Sequence, residues 1–365
     1  MKFGVNFFPV IDPAKKSAST YYDESLRLVE LAEALDFEHV QTVEHYGSPY
    51  GGYSPDPVVF LTAAAARTSR IRLVTGAVIA SFAHPVQTAA RLALLDNLSH
   101  GRLDVGFGRG FLPDEFDLFG VSMEQSRTRF TEVVEACVAL WSGEEVRFEG
   151  EAHRFGPVTG FPLPYQRPHP PVFVASATSA ESCALAGTRG HHLQVVPSVT
   201  SREQLTEMTA AYRAARRAAG HEGPGRIQIK YTCYLGEDRE VVLADARANE
   251  RNYVEMMADA VASWADARSA QYPGYERFAD KARAYDFDTA LADHKVLAGT
   301  PDEVRAQIGT IRGWYGPDIC LSLQFNPGHM PYERAERAME LFAAEVAPAF
   351  ADTHDGAAEP AAVAA

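Results

Sequence analysis

Short runs rich in Val, Ile, Leu and Phe alternate along the chain with longer segments whose apolar residues recur every three or four positions. The short runs fall at 2–8, 39–44, 71–79, 103–108, 171–177, 192–197, 227–235 and 318–325 and read as strands buried on both faces. The longer segments fall at 22–36, 57–68, 85–98, 122–142, 179–189, 201–219, 238–264 and 331–346. They read as amphipathic helices, with Leu26, Val29 and Ala32 marking the inward stripe of the first. Eight strands, each followed by a helix, is the count of a (β/α)8 TIM barrel in the α/β class. A doubly wound sheet more often has five to seven strands.

Three stretches break the rhythm. Residues 143–170, an insertion after the fourth helix, carry a hairpin pattern around EEVRFEGEAHRF and then a Pro-rich run. Residues 265–298, after the helix that follows strand seven, hold YPGYERF and ARAYDFD before a further helix at GTPDEVRAQI. Excursions of that length are usually functional, and this one reads as a lid. Residues 351–365 are of low complexity and read as a disordered tail, leaving 1–350 as one barrel domain.

Composition narrows the partners. The 365 residues include 34 Lys plus Arg against 48 Asp plus Glu, a net charge of -14. No basic stretch is dense enough to replace the counterions of a nucleic acid. No apolar run approaches the ~18 residues of a membrane span, and the amino terminus lacks a signal-peptide cleavage pattern. Cys137, Cys183, Cys233 and Cys320 are scattered without a CxxC and read as buried thiols of a reducing compartment, so the expected location is cytoplasmic. His191 and His192 are adjacent on a strand and point to opposite faces; no metal site is expected.

In a parallel barrel the reactive face lies at the carboxyl ends of the strands. Strand two ends in Glu44-His45-Tyr46, where an imidazole is placed for acid/base work, although a strand-end His is equally a structural residue. Strand four ends in Gly106-Phe107-Gly108-Arg109-Gly110-Phe111. Phe111 breaks a GxGxxG, which excludes a dinucleotide fingerprint. The glycines still let a planar ligand approach while Arg109 grips an anion, and the same Arg also reads as a surface ion-pair residue. Strand five runs through Ser176 and Ser179 into a helix. Hydroxyls there read either as a plain N-cap or as a phosphate cradle, and Arg109 on the neighbouring strand favours the cradle.

These segments carry a resemblance. MKFGVNFF, TVEHY, AHPVQ…LDNLSHGRLDVGFGRGF, FDLFG, SRTRF, FVASATSAES, GTPDEV and FNPGHMP together make the chain resemble the luciferase-like, flavin-dependent monooxygenases, the family of the bacterial luciferase α subunit. The resemblance implies FMN, received as FMNH2 from a separate NAD(P)H:flavin reductase. With O2 as co-substrate it forms a C4a-(hydro)peroxyflavin that oxygenates a small organic substrate. It implies His45 as the catalytic His and Glu44 as its acidic partner. Arg109, Ser176 and Ser179 would hold the flavin phosphate. Gly76-Ala77 would form a non-prolyl cis peptide against the ring. Phe111 would line the cofactor site, and Leu112 and Glu115 the substrate cavity. It also implies a homodimer.

Departures are equally specific. Tyr46 stands where the α subunit has a second His, Gly108 where it has a reactive Cys, and Ala175 where it has a Glu. They count against light emission and aldehyde substrates while leaving flavin binding intact. Tyr46 and Gly108 are expected in the substrate cavity, Gly108 opening space for a bulkier substrate. Two alternatives stay open: an F420-dependent oxidoreductase of the same superfamily, and a non-catalytic flavin-binding partner subunit.

Overall fold

Each of the eight apolar runs forms a parallel strand in the computed structural model, which describes residues 1–351. The strands are β1 (Lys2–Phe7), β2 (His39–Thr42), β3 (Arg72–Thr75), the two-residue β4 (Val78–Ile79) and β5 (Leu103–Gly108). A hairpin of β6 (Glu145–Glu149) and β7 (Arg154–Thr159) follows, antiparallel and outside the main sheet. Then come β8 (Val172–Ala175), β9 (His192–Val195), β10 (Ile227–Leu235), β11 (Leu297–Gly299) and β12 (Ile319–Gln324). Pairing runs β1-β2-β3-β5-β8-β9-β10-β12 and returns to β1 through Lys2↔Cys320, which closes an eight-stranded parallel barrel. The fold is the (β/α)8 TIM barrel expected from the alternation.

The helices are α1 (Ala18–Ala34), α2 (Pro57–Arg67), α3 (Pro85–Leu98), α4 (Pro113–Leu118), α5 (Ser126–Trp141) and α6 (Ala180–Thr188). They continue with α7 (Arg202–Ala218), α8 (Arg239–Ala260), α9 (Phe278–Arg283), α10 (Phe287–Ala292), α11 (Pro301–Tyr315) and α12 (Tyr332–Leu341). Their starts follow side-chain chemistry. Asp56 caps α2 ahead of Pro57, and Thr300 and Glu303 form a capping box at α11, the physical content of the GTPDEV run. The core lies between the outward faces of the strands and these helices, with Leu73, Leu103, Leu193, Ile229 and Leu321 fully buried.

Several boundaries differ from the sequence pattern. The run 71–79 is divided, with β3 ending at Thr75 and β4 pairing separately with β5. The 238–264 pattern is helical to Ala260 and then tightens into a 3-10 turn over Ala262–Ala265. Within 265–298 lie α9, α10 and the start of β11, all too short for a periodicity to register. The tail reading of 351–365 lies outside the described residues except for Ala351. Among the described residues no helix is long and apolar enough to cross a membrane.

The barrel interior is polar near its middle. Ser322 donates to Gln41 Oε1 at 2.8 Å, and Gln194 donates to Gln228 Oε1 at 3.0 Å and to the Thr75 carbonyl at 3.1 Å. Gly106 is a close-approach residue here, since a Cβ would stand 2.2 Å from the Thr75 carbonyl oxygen. At the amino-terminal end Glu38, His39 and Cys320 cluster, but Lys2 pairs with Glu38 at 3.0 Å and the Cys320 thiol donates to it at 3.2 Å. A second apolar cluster, with Val10, Tyr50, Leu112, Phe116, Trp264, Tyr272 and Tyr275, packs among the loops that contribute to the site below.

Candidate functional site

A cavity of about 660 Å³ opens where the barrel strands end. Its floor is built of small residues. Gly76, Ala77, Gly108 and Ala175 all line it, and a Cβ added at Gly108 would meet Ala77 and Ile79 at 3.4 Å and Ala175 at 4.0 Å. Those are near-ordinary contact distances, so the backbone tolerates a side chain there. Its absence leaves a flat surface suited to a planar ring. The Gly76-Ala77 peptide is cis, as the resemblance implies.

One wall of the cavity carries two arginines and two serines. Arg109, at the turn after β5, donates through Nη2 to the Gln271 carbonyl at 2.9 Å and lies over the Tyr272 ring at 4.1 Å. Its Nη1 is buried without a partner, and burial lowers its pKa from the ordinary guanidinium value. A buried guanidinium with an unused N–H can donate to an anion that enters the cavity. Ser176 and Ser179 line the same wall at the start of α6. Ser179 caps the helix, accepting from the Ser182 N–H at 3.1 Å, and the Ser176 hydroxyl donates to the Ser179 carbonyl at 3.3 Å. The N-cap reading holds for Ser179, whose hydroxyl keeps its own proton free to donate. Arg127, which the sequence reading missed, joins this wall and donates to Gln271 Oε1 at 3.1 Å.

The opposite wall carries the titratable pair. His45 is 7% exposed and its Nδ1 lies 3.0 Å from Glu115 Oε1. The same Glu115 oxygen accepts the Tyr46 N–H at 2.8 Å, and Glu115 Oε2 is buried with no partner. Glu44 is not the acidic partner of His45. Neighbours on an extended chain diverge, and Glu44 instead accepts from the Tyr46 hydroxyl at 2.6 Å and the Ile79 N–H at 3.1 Å. Burial pushes the Glu44 carboxyl up to about 7, the hydrogen bonds opposing that rise.

Of the expected residues, Glu44, His45, Gly76, Ala77, Gly108, Arg109, Phe111, Ser176 and Ser179 line the one cavity. Tyr46, Leu112 and Glu115 do not. Tyr46 turns toward Phe119, its ring centroid 4.7 Å away, Leu112 is packed in the apolar cluster, and Glu115 stands behind His45. Lys230 and Gln194 complete the floor, and Tyr272, Tyr275 and Phe278 supply part of the roof from 265–298. A signal for Lys230 was present: Gln228, Lys230 and Thr232 are polar at alternate positions of the strand, so they share its inward face.

Known proteins share this architecture. The flavin-dependent trigonelline monooxygenase, oxygenase component, of Acinetobacter baylyi is 27% identical over 91% of this chain and 91% of its own. An uncharacterized protein y4wF of Sinorhizobium fredii is 31% identical, but the match spans 56% of this chain and 60% of that protein. Among solved structures, the monooxygenase RslO1 from Streptomyces bottropensis is 49% identical, with a TM-score of 0.88 over 96% of this chain and 100% of that one. The oxygenating constituent of 3,6-diketocamphane monooxygenase from Pseudomonas putida, solved with FMN, shares the fold at 19% identity, with a TM-score of 0.77 over 95% and 98% of the two chains. The coenzyme F420 dependent tetrahydromethanopterin reductase of Methanopyrus kandleri shares it too, at 22% identity and a TM-score of 0.69 over 96% and 99%. The family model for luciferase-like monooxygenases matches residues 1–316, and the chain belongs to that family.

Proposed function

We propose that this chain is the oxygenase of a two-component system, taking FMNH2 from a separate NAD(P)H:flavin reductase and using O2 to oxygenate a small organic substrate. The observation that carries the reading is the unused, buried Arg109 Nη1 in a cavity that the serines of the α6 amino terminus also line and that is floored by Gly76, Ala77, Gly108 and Ala175. An FMN fits both features, its phosphate at Arg109, Ser176 and Ser179 and its ring on the small-residue floor. The A. baylyi relative, named as an oxygenase component, and the FMN-bound P. putida structure support it.

When bound, reduced FMN supplies the electrons that activate O2. The protein's own groups do the rest. Glu115 fixes the His45 ring through Nδ1, which leaves Nε2 to hold or move a proton at the cavity wall. Glu44, held from two sides, is a second carboxyl able to exchange a proton near neutral pH. Tyr272, Tyr275 and Phe278 exclude water from above, which supports reading 265–298 as the lid of the site. Exposed Val59 on α2 and Leu94 and Leu98 on α3 suit a homodimer through those helices.

The test pairs binding with oxygen uptake. The protein should bind FMN, and Arg109→Ala should weaken that binding by about 1.5–3 kcal/mol, the worth of hydrogen bonds to a charged group. With a flavin reductase and NAD(P)H, the protein should raise substrate-dependent O2 consumption across a panel of aromatic and aliphatic compounds. Unchanged affinity in Arg109→Ala, or turnover with reduced F420 and none with FMNH2, overturns the reading.

A further inference from the structure

Lys230 is the fourth residue of β10 and points into the barrel mouth, where it lines the cavity. Its Nζ donates to the Gly76 carbonyl at 2.5 Å, so it reaches across the barrel to the floor residue of β3's extension. Among the described residues no carboxylate pairs with it, and Glu44 is held from the far end of the same segment by the Ile79 N–H. Burial alone lowers its pKa, to about 8, with no neighbouring charge contributing. An ammonium has three donors, and one is accounted for. A charge kept out of water without a counter-ion is costly, and the cavity is where a counter-ion can enter.

We propose that Lys230 meets the pyrimidine edge of the flavin and neutralises the negative charge that edge carries in the anionic reduced cofactor, FMNH−, so that the site favours reduced over oxidised FMN. This rests on the function proposed above. The chemistry selects the edge. A ring lying on Ala77, Gly108 and Ala175 presents acceptors to the Gly76 side only along its pyrimidine portion, at N1 and the C2 and C4 carbonyls. The dimethylbenzene portion has none. Reduction adds two electrons and one proton at N5; the charge left at N1 and the C2 carbonyl is met either by a second proton or by a neighbouring cation. Lys230 is a cation on that floor, and charge beside N1 is a recognised lever on flavin electronics. The role suits an oxygenase that must capture FMNH2 from solution, where oxidised FMN competes.

The experiment uses the full chain with free FMN. Dissociation constants are measured for FMN in air and for FMNH2 without oxygen, and the midpoint potential of bound flavin by dye equilibration. Lys230→Met should lose at least tenfold in affinity for FMNH2 relative to FMN, equivalent to a fall of about 30 mV in the two-electron potential. Lys230→Gln, similar in length and uncharged, should lose as much, and Lys230→Arg should recover most of it. A ratio of reduced to oxidised affinity in the neutral variants unchanged from that of the unaltered protein, or a change confined to the KM of an acidic substrate, overturns the proposal. Failure of the unaltered protein to bind FMN in either form overturns the functional reading itself, and this inference with it.

Discussion

The His45–Glu115 contact acts as a unit. One Glu115 oxygen serves both the His45 ring, at 3.0 Å, and the Tyr46 N–H, at 2.8 Å, so the carboxylate fixes ring and backbone together. Glu115→Gln keeps the accepting oxygen but removes the charge that stabilises a protonated imidazole. Turnover should fall by roughly 10²-fold, within the span of a positioned acid/base, while FMN affinity stays unchanged. His45→Ala should fall at least as far, and the double variant no further, since groups acting together are not additive. Losses that multiply in the double variant would show that the two act apart. This pair also marks how far residues are legible in sequence. His45, Arg109 and the two serines stand at strand ends or a helix start, positions that local pattern identifies. Glu115 lies 70 residues from His45, and no local spacing connects them, so nothing in the local pattern set it against Glu44, the partner that the family resemblance implies.

At the scale of elements, the segment 265–298 is fastened to Arg127 of α5 and to Glu250 of α8 as well as to the loop after β5. Residues 109–111 receive three contacts from the excursion and the end of the preceding helical segment. Arg109 donates to the Gln271 carbonyl, the Tyr272 hydroxyl donates to the Gly110 carbonyl at 2.9 Å, and Trp264 Nε1 donates to the Phe111 carbonyl at 2.9 Å. Tyr272 also stacks under Arg109 and packs against Trp264 and Tyr275. Tyr272→Ala removes a buried ring, a cation–π contact and a hydrogen bond, and should ease lid opening by roughly 2–3 kcal/mol. Trypsin should then cut faster at exposed Arg268 and Arg277, with the unfolding midpoint of the barrel unmoved. Equal cleavage would place the lid's anchorage elsewhere. The barrel strands were legible because each is a four- to nine-residue apolar run with a helix after it. The pieces of the excursion were not, because α9 and α10 have six residues each and β11 three. At those lengths neither a helical nor a strand period repeats.

Closure of the whole barrel depends on charge as well as on pairing. Asp104, 1% exposed on β5, accepts from Arg72 of β3 at 3.0 and 2.5 Å and from Arg226, just before β10, at 2.7 and 3.0 Å. The three groups gather strands from separate parts of the ring at the amino-terminal end, away from the cavity. Burial alone would raise the Asp104 carboxyl, but Arg226 and Arg72 overcome it and hold the group below the ordinary carboxylate range. Asp104→Asn leaves two arginines facing each other without their shared anion. Breaking a buried pair costs about 3–5 kcal/mol; both arginine side chains are about a third exposed, 27% and 34%, so about 3 kcal/mol is expected. The loss should appear as a lower denaturation midpoint with an unchanged slope, and FMN affinity should not move. The sign with pH follows from the lowered pKa. The unfolded chain binds this proton near pH 4 and the folded one only below that, so the stabilisation is complete above about pH 4 and is lost as pH falls through the folded value. The gap between wild type and Asp104→Asn should therefore narrow as pH falls below about 4 and the wild type gives up its advantage. A gap that stays constant across that range would show that the carboxylate charge contributes nothing and that only the shape of the side chain matters.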